Sequence, residues 1–172
     1  VQDDITRFLD AAKSDRLHAL YVVALTTGLR QGEMYALQWD SVDLIDGTAA
    51  IERTSKSGHD GKLTTGKPKT ASSIRSVELP DIAVAALRAQ RARLKAEGLE
   101  DSPLCFPDAR GGILSRQNVQ QRSYKPLLRK CGLSEGIRFH DLRHSAATLW
   151  LENGAALKDV SAMLGHSKSS TT

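Results

Sequence analysis

Apolar residues recur at helical spacing over most of the chain. Residues 5–12 read as a short amphipathic helix. Leu17, Leu20, Tyr21, Ala24 and Leu25 then fall on one helical face, and Gly28 ends that pattern as a C-terminal glycine does. A second run over 31–38 has Met34 and Leu37 apolar, with Trp39 just beyond. After Trp39 the texture changes. Asp46-Gly47 is a turn signal, 48–54 has strand character, and the Gly/Ser-rich stretch 55–61 is predicted to loop out. Residues 62–65 and 74–79 are predicted as the second and third strands of one antiparallel sheet, with Lys69 near its last turn. Pro80-Asp81 opens a helix over 82–96 that Gly98 closes, and a loop follows over 99–112. Ser115 caps a helix over 117–131 stopped by Gly132, and Pro126 inside it must kink or split it. Residues 140–152 and 158–164 are the last two helices, closed by Asn153-Gly154 and by Gly165. The predicted class is α+β and mainly α-helical: a helical domain with a small three-stranded antiparallel sheet.

A chain of 172 residues with 40% hydrophobic content fits one domain, 1–172, with a real core. It contains no apolar run long enough to span a membrane and no secretory leader pattern near Val1. Cys105 and Cys131 lie far apart and form no CxxC pair, which points to free thiols in a reducing compartment, the cytoplasm. The net charge of +4 is mild, but its distribution changes the picture. Lys56, Lys62, Lys67, Lys69 and Arg75 crowd one stretch; Arg110, Arg116, Arg122, Lys125, Arg129, Lys130 and Arg138 crowd another. Clustered cations suit a polyphosphate partner, although a solvated basic surface gives the same pattern.

Three short segments and one lysine carry candidate chemistry. In Gly28-Leu29-Arg30-Gln31-Gly32-Glu33, Arg30 stands where one helix stops and the next begins. An arginine there can grip two phosphate oxygens, and Glu33, one turn along, can brace it. The same residues also fit a surface ion pair. In His140-Asp141-Leu142-Arg143-His144 the first, fourth and fifth residues share a helix face. Histidine moves protons near neutral pH, and Arg143 supplies charge to oxygens that become negative. The two histidines equally fit capping and packing roles, or half of a zinc site. The zinc-protease pattern, however, wants Glu where Asp141 stands, and Arg143 would put a fixed cation beside the metal. Lys69, in Gly66-Lys67-Pro68-Lys69-Thr70, could donate a proton from a hairpin, with Lys67 as a rival and a plain basic turn as the alternative. His166 follows a helix stop in Leu164-Gly165-His166-Ser167. Together these parts can hold and cleave a phosphodiester without a metal, but they lack an obvious nucleophile.

The order of these motifs resembles the catalytic domain of the tyrosine recombinases, the phage-integrase family. The matching residues are Thr26-Thr27-Gly28-Leu29-Arg30-Gln31-Gly32-Glu33 with Leu37 and Trp39, Pro68-Lys69-Thr70 followed by Arg75, His140-Asp141-Leu142-Arg143-His144, and Leu164-Gly165-His166-Ser167. The resemblance implies that Arg30 and Arg143 bind the scissile phosphate of double-stranded DNA. It implies Lys69 as general acid for the 5′-hydroxyl, His140 in proton transfer, and His166 as a hydrogen-bond partner of the phosphate. Glu33 would support Arg30, and His144 would be a structural member of its helix. The reaction implied is attack by a tyrosine, giving a 3′-phosphotyrosyl link in a tetramer on DNA, with no cofactor, metal or membrane. The family's tyrosine follows the histidine matched by His166 at about nine or ten residues, whereas this sequence reads only to Thr172. Tyr21, Tyr35 and Tyr124 are expected to be structural, so the nucleophile is expected outside the chain, as is an N-terminal DNA-clamping domain. DNA affinity is then expected to be modest and salt-dependent. Two alternatives differ in chemistry: a DNA-binding relative that does not cleave, and a His-based metal hydrolase. Loss of the Arg143 side chain is expected to abolish cleavage and leave the fold intact.

Overall fold

The computed structural model describes residues 2–156, 159–160 and 164, with the backbone alone at residue 72. Its centre is helix α2 (His18–Thr27), in which Ala19, Leu20, Tyr21, Val22, Val23, Ala24, Leu25 and Thr27 are all buried. A helix apolar all round belongs inside a domain, and α2 is packed by α1 (Gln2–Ala12), α4 (Asp81–Ala96) and α7 (Asp141–Glu152). Each neighbour offers a narrower stripe: Phe8, Ala11 and Ala12 from α1, and Ala83, Leu87, Gln90 and Leu94 from α4. Where α4 buries a polar group it is satisfied, since Gln90 Nε2 donates to the Cys105 carbonyl at 3.0 Å. Phe8, Tyr21, Tyr124 and Phe139 form one cluster with ring centroids 5.1–6.1 Å apart, each such pair adding about 0.5–1.5 kcal/mol beyond its buried area.

Strands β1 (Val42–Asp43), β2 (Thr48–Ile51) and β5 (Arg75–Glu78) form a three-stranded antiparallel sheet in the order β1-β2-β5. Ala49 stands opposite Val42 on one side and Val77 on the other, and the apolar alternation Ala49, Ile51, Val77 turns one face to the core. The predicted three-stranded antiparallel sheet is present, but its membership differs. The strand predicted over 48–54 breaks after Ile51, and β3 (Thr54–Ser57), lying partly in the predicted loop, pairs instead with β4 (Leu63–Gly66) as a separate hairpin. The physical reason is composition. Thr54, Ser55, Lys56 and Ser57 offer no apolar face to a core, so the hairpin stays outside the three-stranded sheet and lies against α3 (Gln31–Tyr35) instead. Lys69 accordingly lies past the open end of this hairpin, not at its turn, which is closed by the Gly58 N–H on the Lys62 carbonyl at 2.9 Å.

Helix α3 (Gln31–Tyr35) is shorter than predicted and gives way to a 3₁₀ turn at Trp39–Ser41. The loop over 99–112 is sewn to it by Trp39 N–H on the Pro103 carbonyl and Cys105 N–H on the Leu37 carbonyl, both at 2.9 Å. Pro126 splits its helix as expected: α5 (Arg116–Val119) widens into a π turn at Gln120–Tyr124 before α6 (Lys125–Lys130). A proline lacks the N–H for the regular bond and crowds the carbonyl one turn back, and the wider turn relieves both. The last predicted helix lies largely outside the described residues, although Val160 and Leu164 N–H groups bond four residues back. Among the described residues no helix is long and apolar enough to cross a membrane. Cys105 is buried and Cys131 half-buried, both free thiols.

Candidate active site

The site begins at the end of α2. Gly28 adopts φ 62°, and its N–H closes the helix on the Ala24 carbonyl. A Cβ at this position would stand 2.8 Å from Leu164 Cδ2 and 3.2 Å from Trp150 Cη2. Glycine is therefore required twice, by the left-handed backbone and by the close approach of two side chains. The turn delivers Arg30 to the N-cap of α3 in extended conformation, φ −68° and ψ 148°. Serine or aspartate usually caps a helix with its own oxygen. Here the cap comes from the other end: Glu33 Oε2 accepts the Arg30 N–H at 2.9 Å, and the Arg30 side chain stays 40% exposed.

Glu33 is almost fully buried and holds two arginines. Its Oε1 accepts from Arg30 Nη1 at 3.2 Å, while Arg75 on β5 grips both carboxylate oxygens at 3.0 and 3.1 Å. Burial alone would push the Glu33 carboxyl up. The Arg75 hydrogen bonds, the Arg30 N–H and both guanidinium charges outweigh it and hold Glu33 below the ordinary carboxylate range.

Arg143 is buried, and α7 sends its side chain inward. Nη1 donates to the Gly28 carbonyl at 2.7 Å and Nη2 donates to the Leu164 carbonyl. The first bond satisfies a carbonyl at the C-terminus of α2, where a cation is also favoured by the helix dipole. Burial, then the Arg30 and Arg75 charges, push this guanidinium down to about 10, opposed only by Glu33. It remains a cation at neutral pH. Of these four groups three are positive and one negative, a surplus that an anion would neutralise.

Arg30 opens onto a cleft of about 350 Å³, with Lys69, Lys56, Arg116 and Thr54 among its walls. The fold therefore joins the two basic stretches of the sequence, since Lys56 comes from the first and Arg116 from the second. Gly32 makes room for this: a Cβ there would lie 2.6 Å from Thr54 Oγ1 and 3.3 Å from Arg116 Nη2. A larger groove of about 570 Å³ runs past Asp15, Arg16, Arg110 and Arg122 and shares no residue with this cleft. Its acids are already used, Asp15 by Leu17 N–H and Ser123, and Asp108 by the Arg110 and Gly112 N–H groups.

His140 occupies the N-cap position of α7, and His144 lies one turn on, the rings edge to face at 5.3 Å. Both are less buried than Arg143 between them. Partial burial and the neighbouring His144 and Arg143 push His140 below its ordinary value, so it is mostly neutral at pH 7. Asp141 takes the Arg138 N–H at 2.8 Å and its guanidinium at 3.1 Å, locking the turn into α7. Among the described residues no group of three or more His, Cys, Asp or Glu is arranged to hold a metal. His166 lies outside the described residues. Tyr21, Tyr35 and Tyr124 are fully buried, and burial pushes all three phenols up. Each hydroxyl is engaged, with Ser123, Gln31 and the Arg138 carbonyl respectively.

The structure thus brings Arg30 and Lys69 into one cleft and packs Arg143 behind it, while His140 and His144 are not among the cleft walls. Sequence reasoning gave no role to Arg75, Lys56 or Arg116. Their excess in two basic runs was the signal available, but nothing in the sequence showed that the runs converge.

The sequence pattern of the phage integrase family matches residues 1–172. A XerC-like tyrosine recombinase of Caldanaerobacter subterraneus subsp. tengcongensis is 31% identical over 186 aligned residues, covering 99% of this chain and 47% of its own. Among solved structures, the Tn1549 transposon integrase in complex with transposon right end DNA superposes with TM-score 0.83 at 18% identity, over 97% of this chain and 57% of that one. The XerA recombinase does so with TM-score 0.77 at 26% identity, over 97% and 55%. The chain spans about half the length of the curated relatives it matches. It belongs to the phage integrase family.

Proposed function

We propose that this chain is the catalytic domain of a site-specific DNA recombinase, and that the cleft at Arg30 and Lys69 receives the scissile phosphate of duplex DNA. The observation that carries this is the guanidinium surplus: Arg30, Arg75 and Arg143 gather around one carboxylate at the edge of a cleft walled by further cations. Arg30 and Arg143 neutralise the nonbridging oxygens as charge develops in the transition state. A tyrosine oxygen attacks phosphorus, the bond to the 5′-oxygen breaks, and Lys69 gives that oxygen its proton. The product is a 3′-phosphotyrosyl ester and a free 5′-hydroxyl, and attack by another strand's 5′-hydroxyl reverses the steps. His140 takes and returns the tyrosine proton, His166 hydrogen-bonds the phosphate, and His144 packs against His140 to hold its ring. The three tyrosines of this chain are buried and engaged, so we assign attack to a tyrosine from outside these 172 residues. An integrase relative in complex with transposon DNA supports DNA as the partner; a tetramer on DNA is the working assembly we assign to the full protein.

The test is covalent trapping. The protein carried in its full reading frame is incubated with a nicked recombination-site duplex that loses its 5′-hydroxyl fragment on cleavage. A protein–DNA adduct resistant to denaturant is expected. DNA binding without an adduct would instead support the non-cleaving relative.

A further inference from the structure

We infer that Arg75 is a positioning residue that keeps Glu33 from competing with the phosphate for Arg30. This rests on the phosphate-gripping role proposed for Arg30. Glu33 is 3% and Arg75 10% exposed, and they meet through two parallel hydrogen bonds of 3.0 and 3.1 Å, the fork geometry that suits guanidinium and carboxylate. The Glu33 charge is thereby matched inside the protein by Arg75. Arg30 contributes a single side-chain bond to the same carboxylate, at 3.2 Å, and its side chain is 40% exposed. It is steered by Glu33 without being neutralised by it.

Arg75 is in turn fixed from behind. It opens β5, stands opposite Ile51 of β2, and its Nη1 also donates to the Ser73 carbonyl at 3.0 Å. The three-stranded sheet therefore sets where the Glu33 carboxylate is held. Without the Arg75 guanidinium, a buried carboxylate would be left with Arg30 as the cation it already touches. The fork would close on Arg30, and an incoming phosphate would have to displace it.

The experiment measures binding of a short labelled duplex to this chain across a salt series, with thermal unfolding of every variant. Withdrawing one cation from a DNA phosphate lowers the slope of log affinity against log salt by about one. Arg30→Ala tests the underlying role, and an unchanged slope there would sink the phosphate grip itself. Given that control, Arg75→Met is expected to lower the slope by about one, as Arg30→Ala does, and to weaken binding about tenfold at moderate salt. In the Glu33→Gln background, where no competing charge exists, Arg75→Met should leave the slope unchanged and affinity within about twofold. An equal drop in both backgrounds would show that Arg75 touches DNA itself, and no drop in either would show that it does not govern Arg30; either overturns the inference. Should Arg75→Met alone fail to fold, Arg75→Gln in the two backgrounds reads the same coupling. Glutamine removes the charge and keeps a hydrogen-bond donor, so a slope drop that Glu33→Gln abolishes is expected, and an equal drop in both backgrounds, or none in either, would overturn the inference.

Discussion

Arg143 and Gly28, 115 residues apart in sequence, are joined by a 2.7 Å hydrogen bond from a buried guanidinium to a helix-ending carbonyl. The bond gives Arg143 a structural duty as well as a place at the site, and this changes what its removal should do.

Arg143→Ala is expected to abolish cleavage and to destabilise the fold, against the sequence-based expectation of an intact one. It strands the buried Gly28 and Leu164 acceptors, at about 1–3 kcal/mol each. Over the two acceptors a fall in melting temperature of roughly 4–24 °C follows for a domain of this size. Calorimetry or circular dichroism reads it; an unchanged melting temperature would mean that these bonds carry no weight in solution.

Gly28→Ala is expected to be as damaging without touching a charge. Left-handed backbone costs a residue with Cβ about 1–2 kcal/mol, and the new methyl meets Leu164 and Trp150 besides. Gly154→Ala is the control: its φ is 88°, but a Cβ there meets nothing within 4 Å. If the two variants lose equal stability, the close packing around Gly28 is not what matters there.

Stability should fall as pH drops through the histidine range, and His18 is the group to watch. Burial, then the Arg93 and Lys13 charges, push His18 below 6.5, and its Nδ1 has no hydrogen-bond partner among the described residues. The unfolded chain therefore binds this proton more readily than the folded one. The His18 contribution is complete above about pH 6.5 and is lost as pH falls below it. Glu33, held below its ordinary value, acts in the same direction but only below about pH 4.5. Chemical denaturation between pH 7.5 and 5 should show a slope that His18→Gln reduces, the rest coming from His140, which is also held below its ordinary value; an unaltered slope would clear His18.

Lys69→Ala should slow cleavage by about 10²–10⁴-fold in the full-length protein, the usual range for a missing general acid. A substrate with sulfur in place of the leaving 5′-oxygen needs no proton to depart and should restore most of the rate. If both substrates are slowed alike, Lys69 holds the DNA and is not the acid.

Much of this site could be seen in the sequence because its determinants are local. Gly28 followed by Arg30 and Glu33 is a helix stop, an N-cap and a capping partner within six residues, and all three appear in those places. The split in the helix was foreseeable from Pro126 alone. What stayed hidden depends on distant contacts. The inward course of Arg143 needs Gly28 and Leu164 as acceptors, and helical spacing alone placed it with His140 and His144. The sheet was misassigned because 62–65 was read as one of its strands, when its true partner, Thr54 to Ser57, lay almost wholly in a stretch read as a loop; only Thr48 to Ile51 has Ala49 and Ile51 to bury. Arg75 gained its role from a carboxylate 42 residues earlier.

Leu164 covers Gly28 with its side chain and accepts Arg143 with its carbonyl. One residue therefore fixes both the end of the central helix and the course of a buried guanidinium. A substitution that displaces Leu164 disturbs the Gly28 turn and the Arg143 side chain together, so neither can be altered there without the other.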